Sequence, residues 1–114
     1  MRTLIVFFVL AVAVGVCSAQ WIEMTNWPMH GDNVVSLAIN GQDFLVGTLW
    51  GNEIQWTGST YASTTRGTTW QQVGGASTAI AMDGSACWRA HYYWDRFQTE
   101  SGVHRSTDSG ITWN

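Results

Sequence analysis

Aromatic rings and carboxylates crowd into two stretches of the chain. One holds Trp50, Glu53 and Trp56; the other holds Tyr92, Tyr93, Trp94, Asp95, Arg96, Phe97 and Glu100. Flat rings beside carboxylates and an arginine suit carbohydrate, whose rings have apolar faces and polar rims. The candidate ligand-binding residues are therefore Trp50, Glu53, Trp56, Tyr93, Trp94 and Asp95. Packing is the competing explanation for each ring, because large apolar side chains more often fill cores than sites. Tyr93 and Trp94 are adjacent, so in an extended strand they point to opposite sides and only one can be core.

Other chemistry is sparse. His30, His91 and His104 are dispersed without the spacing of metal ligands, so neither a metal nor a cofactor is expected. Cys87 reads as a small buried hydrophobe on a strand. Asp32, Asp43 and Asp83 flank glycine or asparagine and read as turn formers. The chain has no nucleophile elbow, phosphate loop or metalloprotease helix. Nucleic acid is excluded as a partner, because five arginines and no lysine face eight acids, a formal charge of −3.

The first residues stand apart in composition. Arg2 supplies a positive start, Leu4 to Val16 is an uncharged apolar run, and Val16-Cys17-Ser18-Ala19 offers small residues for cleavage. The run is short of the about 20 apolar residues a spanning helix needs. Residues 1–19 are read as a secretory signal peptide, helical if left in place, with no membrane span after cleavage. A lipid anchor on Cys17 is the alternative, disfavoured by Val16 before it. Gln20 onward is expected to be secreted, periplasmic or at the cell surface. After cleavage Cys87 is the single cysteine, which excludes a disulfide framework.

The mature part is rich in Thr, Val, Ser, Gly and aromatics, the composition of an all-β protein. Its organisation comes from a repeat of 43 residues. That shift superposes Trp27, Trp70 and Trp113, and it lays Leu37-Ala38-Ile39-Asn40-Gly41 on Ile80-Ala81-Met82-Asp83-Gly84. It also lays Ser63-Thr64-Thr65-Arg66-Gly67-Thr68-Thr69-Trp70 on Ser106-Thr107-Asp108-Ser109-Gly110-Ile111-Thr112-Trp113. Strands are predicted at 34–39, 44–48, 60–63 and 69–73, then at 86–91 and 103–106. Asn40-Gly41 forms a tight hairpin turn. Residues 49–59 and 92–102 remain as long connections, with some strand near 53–56. The divisions are a segment 20–33, a first unit 34–76, and a second unit 77–114 lacking most of its outer strand.

The block Ser106 to Trp113 resembles the Asp-box, or bacterial neuraminidase repeat, S-x-D-x-G-x-x-W, at all four defining positions: Ser106, Asp108, Gly110 and Trp113. The first copy matches at Ser63, Gly67 and Trp70 and carries Thr65 in place of aspartate. The resemblance implies a β-propeller, here a fragment of about two four-stranded antiparallel blades, with each box turning between the third and fourth strands. Sialidases, xyloglucan-degrading enzymes and sortilin-like receptors carry such boxes. The box residues themselves read as structural: Asp108 accepts turn N–H groups, Gly110 frees the backbone, and Trp113 covers the hairpin.

Loops alternate between the two ends of a meander, so the boxes lie opposite the aromatic connections. A propeller closes with about four to eight blades, so further blades of the same chain are expected. The function expected is that of a non-catalytic scaffold or binding module for a neutral glycan or a protein. The alternative is the N-terminal part of a sialidase-like or xyloglucanase-like glycoside hydrolase. Against a sialidase, the Arg-Ile-Pro element is missing, Pro28 being the only proline.

Overall fold

The structure is a computed structural model that describes residues 23, 24, 26–28 and 32–114. The signal-peptide reading of 1–19, the expected helix at 4–16, Cys17 and His30 fall outside these residues. From Asp32 onward the chain is all-β: β1 (Asn33–Asn40), β2 (Asp43–Gly51), β3 (Gln55–Thr57), β4 (Ser59–Ser63), β5 (Gln71–Gly75), β6 (Ser77–Asp83), β7 (Ala86–Asp95) and β8 (Thr99–Ser106). Every pairing is antiparallel. The strands join into one open eight-stranded sheet.

Two meanders make up that sheet. In the first, β1 pairs β2, β2 pairs β4, and β4 pairs β5. In the second, β6 pairs β7 and β7 pairs β8. The 43-residue shift holds down to local irregularities. The β1/β2 ladder slips between Val34 and Ser36, and the β6/β7 ladder slips between Ser77 and Ala79, one repeat later. Gly41 and Gly84, at equivalent turns, have φ of 62° and 60°, a region glycine enters without a Cβ penalty.

Residues 49–59 and 92–102 are not long loops. Strand β2 runs on to Gly51 and β7 to Asp95, and each turns back at once. Asn52 makes the first turn, its Oδ1 accepting N–H from Ile54 at 2.8 Å and Gln55 at 3.0 Å. Asp95 repeats it with Phe97 at 2.8 Å and Gln98 at 2.9 Å. A short polar side chain that caps its own turn in this way closes a hairpin without a long connection. The returning strand is continuous in the second unit as β8, but Gly58 divides it into β3 and β4 in the first. Strand β3 then pairs with both β2 and β7, bridging the units at this end.

The core lies between the meanders. Leu45 and Ala62 of the first unit and Cys87 of the second are buried, with Val73, Ile80, Met82, Ile111 and Trp113 packed against them. On the other face of the first unit, Trp27 meets Tyr61 and Trp70 edge-on at 5.2 and 5.0 Å. Covered on both faces, β2 buries Leu45, Val46, Gly47 and Thr48 in succession, and β4 buries Thr60 to Ser63. A strand buried on both sides loses the alternation that marks a half-exposed one. Strand β7 keeps it, with Cys87 and Arg89 buried and Trp88 between them exposed.

Candidate functional site

The two ends of the meanders carry different chemistry. At one end sit the boxes, tied to the glycine turns by Arg66 N–H to Gln42 O and Ser109 N–H to Ser85 O, both 3.0 Å. The Asn52 and Asp95 turns occupy the other end of β2 and β7. Nine or ten residues at about 3.3 Å each put roughly 30 Å between the ends.

At the box end the hydrogen bonds are internal and are made twice at the same positions. Ser63 Oγ accepts Gly67 N–H at 2.8 Å, and Ser106 Oγ accepts Gly110 N–H at 2.9 Å. Thr65 Oγ1 accepts Thr69 N–H at 2.9 Å, and Asp108 Oδ1 accepts Thr112 N–H at 2.9 Å. Asp108 further receives the hydroxyls of Thr112 at 2.6 Å and Ser106 at 2.7 Å. These donors favour the ionised form and hold the Asp108 carboxyl down at about 2. Gly67 and Gly110 have φ of 81° and 86°. Trp70 and Trp113 each bury an indole N–H that finds no acceptor among the described residues.

The six candidate ligand residues all lie at the other end, but the sheet divides them. Cross-strand partners share a face, as do alternate residues of a strand, whereas adjacent residues point to opposite faces. Trp50 pairs Thr57, Gln55 pairs Asp95, and Tyr93 pairs Glu100, so Trp50, Tyr93 and Asp95 share one face. Trp56 pairs both Gly51 and Trp94, which puts Trp56 and Trp94 on the opposite face. One continuous four-ring platform is therefore not built. Trp50 and Trp56 are each 41% exposed. Glu53 is exposed in the Asn52 turn. Asp95 is occupied locally: besides its turn N–H groups it takes the Tyr93 hydroxyl at 2.6 Å. That bond, with the Phe97 and Gln98 amides, lowers the Asp95 carboxyl, and the same bond, ahead of burial, raises the Tyr93 phenol.

A cleft of about 290 Å3 opens on the face that carries Tyr93. Its walls come from Thr57 of β3, Gly75 at the end of β5 and Ala76 after it, His91, Tyr92 and Tyr93 of β7, and Gln98 and Glu100 of the second hairpin. His91 Nδ1 contacts Ala76 O at 3.2 Å, so that nitrogen carries the proton. Its Nε2 is then free to accept, 4.0 Å from Glu100 Oε2, and becomes one half of an ion pair when protonated. Hydroxyl-rich ligands suit such a mixture of imidazole, carboxylate, amide and phenol, because each sugar hydroxyl both donates and accepts.

Behind the cleft lies a group the sequence did not suggest. Arg89 is 6% exposed and reaches Thr60 Oγ1 at 3.2 Å and Gly75 O at 3.4 Å, across the boundary between the units. Its other terminal nitrogen donates to His104 Nδ1 at 3.1 Å, and its guanidinium sits 4.8 Å from the Trp113 ring. Burial lowers the Arg89 pKa, and no carboxylate pairs with it among the described residues. His104 stacks on His91 at 5.2 Å and 17°. Burial first, then Arg89 and His91, push the His104 pKa down. The two histidines are dispersed in sequence but diagonal neighbours across the β7/β8 ladder, where Arg89 pairs His104 and His91 pairs Gly102. Centring a hairpin on Asp95 to Gln98 is the signal that would have joined them. Among the described residues no three His, Cys, Asp or Glu side chains converge as a metal site requires.

No family model, curated protein or solved structure matches the chain.

Proposed function

We propose that the chain is part of an exported, non-catalytic β-propeller of the Asp-box kind, serving as a binding module for a neutral glycan, with a protein surface as the other ligand class. The observation that carries this reading is the division of labour between the two ends. The box side chains spend their hydrogen bonds on their own turns, whereas the opposite end offers a cleft that His91, Tyr93, Gln98 and Glu100 help to line, on the face that carries the exposed Trp50. The cleft volume is near the bottom of the range of about 300–1,000 Å3 for small-molecule sites, which fits one or two sugar rings. An acidic chain disfavours a strongly anionic polymer. Export rests on the sequence of residues 1–19, and the propeller on the boxes and the 43-residue period.

The hydrolase alternative calls for two carboxylates set across a bound sugar. Glu100 lines the cleft, but Asp95 is engaged by Tyr93 and its own turn. A glycan array probed with the full chain separates the readings. Wild type is expected to retain neutral glycans. Trp50→Ala and Glu100→Gln should weaken retention at least several-fold with the fold intact, and Trp94→Ala, on the other face, much less. Release of reducing sugar from a retained glycan, abolished in Glu100→Gln, would instead favour the hydrolase. Retention unchanged in Trp50→Ala and Glu100→Gln would remove the cleft from the account.

A further inference from the structure

The Asn52 and Asp95 turns each present one apolar side chain to solvent at the same place in the repeat. Ile54 and Phe97 both stand two residues after the capping side chain, 49% and 94% exposed. The two tips adjoin. Strand β3 pairs β2 on one side and β7 on the other, and β7 pairs β8, so both hairpins point the same way. Two strand spacings of about 4.8 Å put the tips roughly 10 Å apart. Each tip satisfies its own backbone: the caps take the N–H groups of Ile54, Gln55, Phe97 and Gln98. The Asn52 and Asp95 N–H groups donate to Gln55 O and Gln98 O, both at 2.9 Å. A turn bonded in this way sheds water at little cost. Close behind the tips, Trp50 and Tyr93 lie on one face of the sheet and Trp56 and Trp94 on the other. A stacking platform needs its rings on one face. Rings on both faces behind apolar tips make a belt, the position tryptophan and tyrosine take where water meets lipid.

We propose that these two tips dip into the surface of a neutral lipid bilayer, Ile54 and Phe97 passing below the headgroups and the four rings settling among them. From the Asp95 turn back to Tyr93 is about 7 Å at 3.3 Å per residue, within the depth of about 5–10 Å that interfacial elements reach. Lipid suits the tips better than a protein does. A specific protein interface buries about 800 Å2 of continuous surface on each partner, far more than two separate side chains on convex turns supply, whereas a fluid bilayer closes around each tip. Charge selects the lipid: Glu53, Asp95 and Glu100 near the tips outnumber Arg96, in a chain of net charge −3, so anionic headgroups are repelled. Apolar transfer drives the contact, which makes it insensitive to salt. The inference stands on the tips and their rings and not on the ligand reading above. The two units pack through their faces, and tips at the ends of the strands do not require either face to be free.

Flotation of the full chain, in whatever processed form its host leaves, with phosphatidylcholine vesicles provides the test. Wild type should rise with the vesicles equally at low and high salt, and less when phosphatidylglycerol replaces part of the lipid. Phe97→Ser should lower the partition coefficient about tenfold or more, the transfer of one aromatic ring, and Ile54→Ser by a smaller factor. Both variants should keep the wild-type circular dichroism, because neither side chain is buried in the fold. Ile39→Ser, which removes an exposed isoleucine at the box end, should float like wild type. Wild type left in solution by every vesicle overturns the proposal and leaves a protein surface as the occupant of the tips. So does flotation that Phe97→Ser and Ile54→Ser share with wild type, a loss as large in Ile39→Ser, or binding that grows with phosphatidylglycerol. Retention of a soluble neutral glycan without flotation would remove the membrane contact alone and leave the cleft in place.

Discussion

Gly110 and Gly84 both have positive φ, at 86° and 60°, yet the structure assigns them different tolerances. A Cβ on Gly84 meets nothing within 4 Å, whereas one on Gly110 falls 2.5 Å from Leu45 Cδ2. Gly84→Ala should therefore cost about 1 kcal/mol, the backbone penalty alone. Gly110→Ala adds a clash with a fully buried leucine and should cost about 3 kcal/mol or more. Urea unfolding of the two variants measures the difference, and equal costs would mean that Leu45 does not pack on the second box. Asp108 gives a pH signature at the same turn. Its folded pKa lies near 2, below the ordinary 3.8, so the stability it adds is complete above about pH 4 and disappears as pH falls through 2. Asp108→Asn should flatten the acid limb of the stability curve between those values without altering ligand binding. Thr65, the neutral counterpart, makes the same bond to Thr69 N–H and should leave no such limb when replaced by Val.

At the scale of elements, the hairpin that carries the cleft also carries a second pH dependence. His104 accepts from Arg89 and stacks on His91, and its pKa is lowered from 6.5. A base with a lowered folded pKa takes up its proton more readily in the unfolded chain. Stability is therefore complete above about pH 6.5 and falls as the pH drops below it. Thermal midpoints between pH 7.5 and 5 should decline in wild type and decline less in His104→Gln. An unchanged slope would assign the acid sensitivity elsewhere. The order of the strands and the turns at Gly41 and Gly84 were legible in the sequence, because alternation, Asn-Gly and the 43-residue shift all mark local geometry. The length of the two hairpins was not. Asn52 and Asp95 close turns among aromatic and charged residues that resemble a ligand loop in composition, and only the paired acceptor roles of these two side chains reveal strands on either side. That misreading hid the meeting of Arg89, His91 and His104. It also hid the parting of Trp50 and Tyr93 from Trp56 and Trp94, since facing follows register and register was unset.

Across the whole molecule, the 43-residue repeat makes one interface of two unlike faces, while the candidate ligand groups gather at one end of both units. Sequence alone placed the boxes and the aromatic residues at opposite ends, because consecutive turns in a meander alternate. The central claim is that binding belongs to the hairpin end and stability to the box end. Backbone amide chemical shifts of the isotope-labelled chain, followed while xyloglucan- and cellulose-derived oligosaccharides are added, test it most directly. The account predicts progressive shifts at Thr57, Ala76, His91, Tyr93, Gln98 and Glu100, with Gly67, Gly110 and Thr112 unmoved. Shifts centred on Gly67 and Gly110, or none with any of these neutral oligosaccharides, would contradict it.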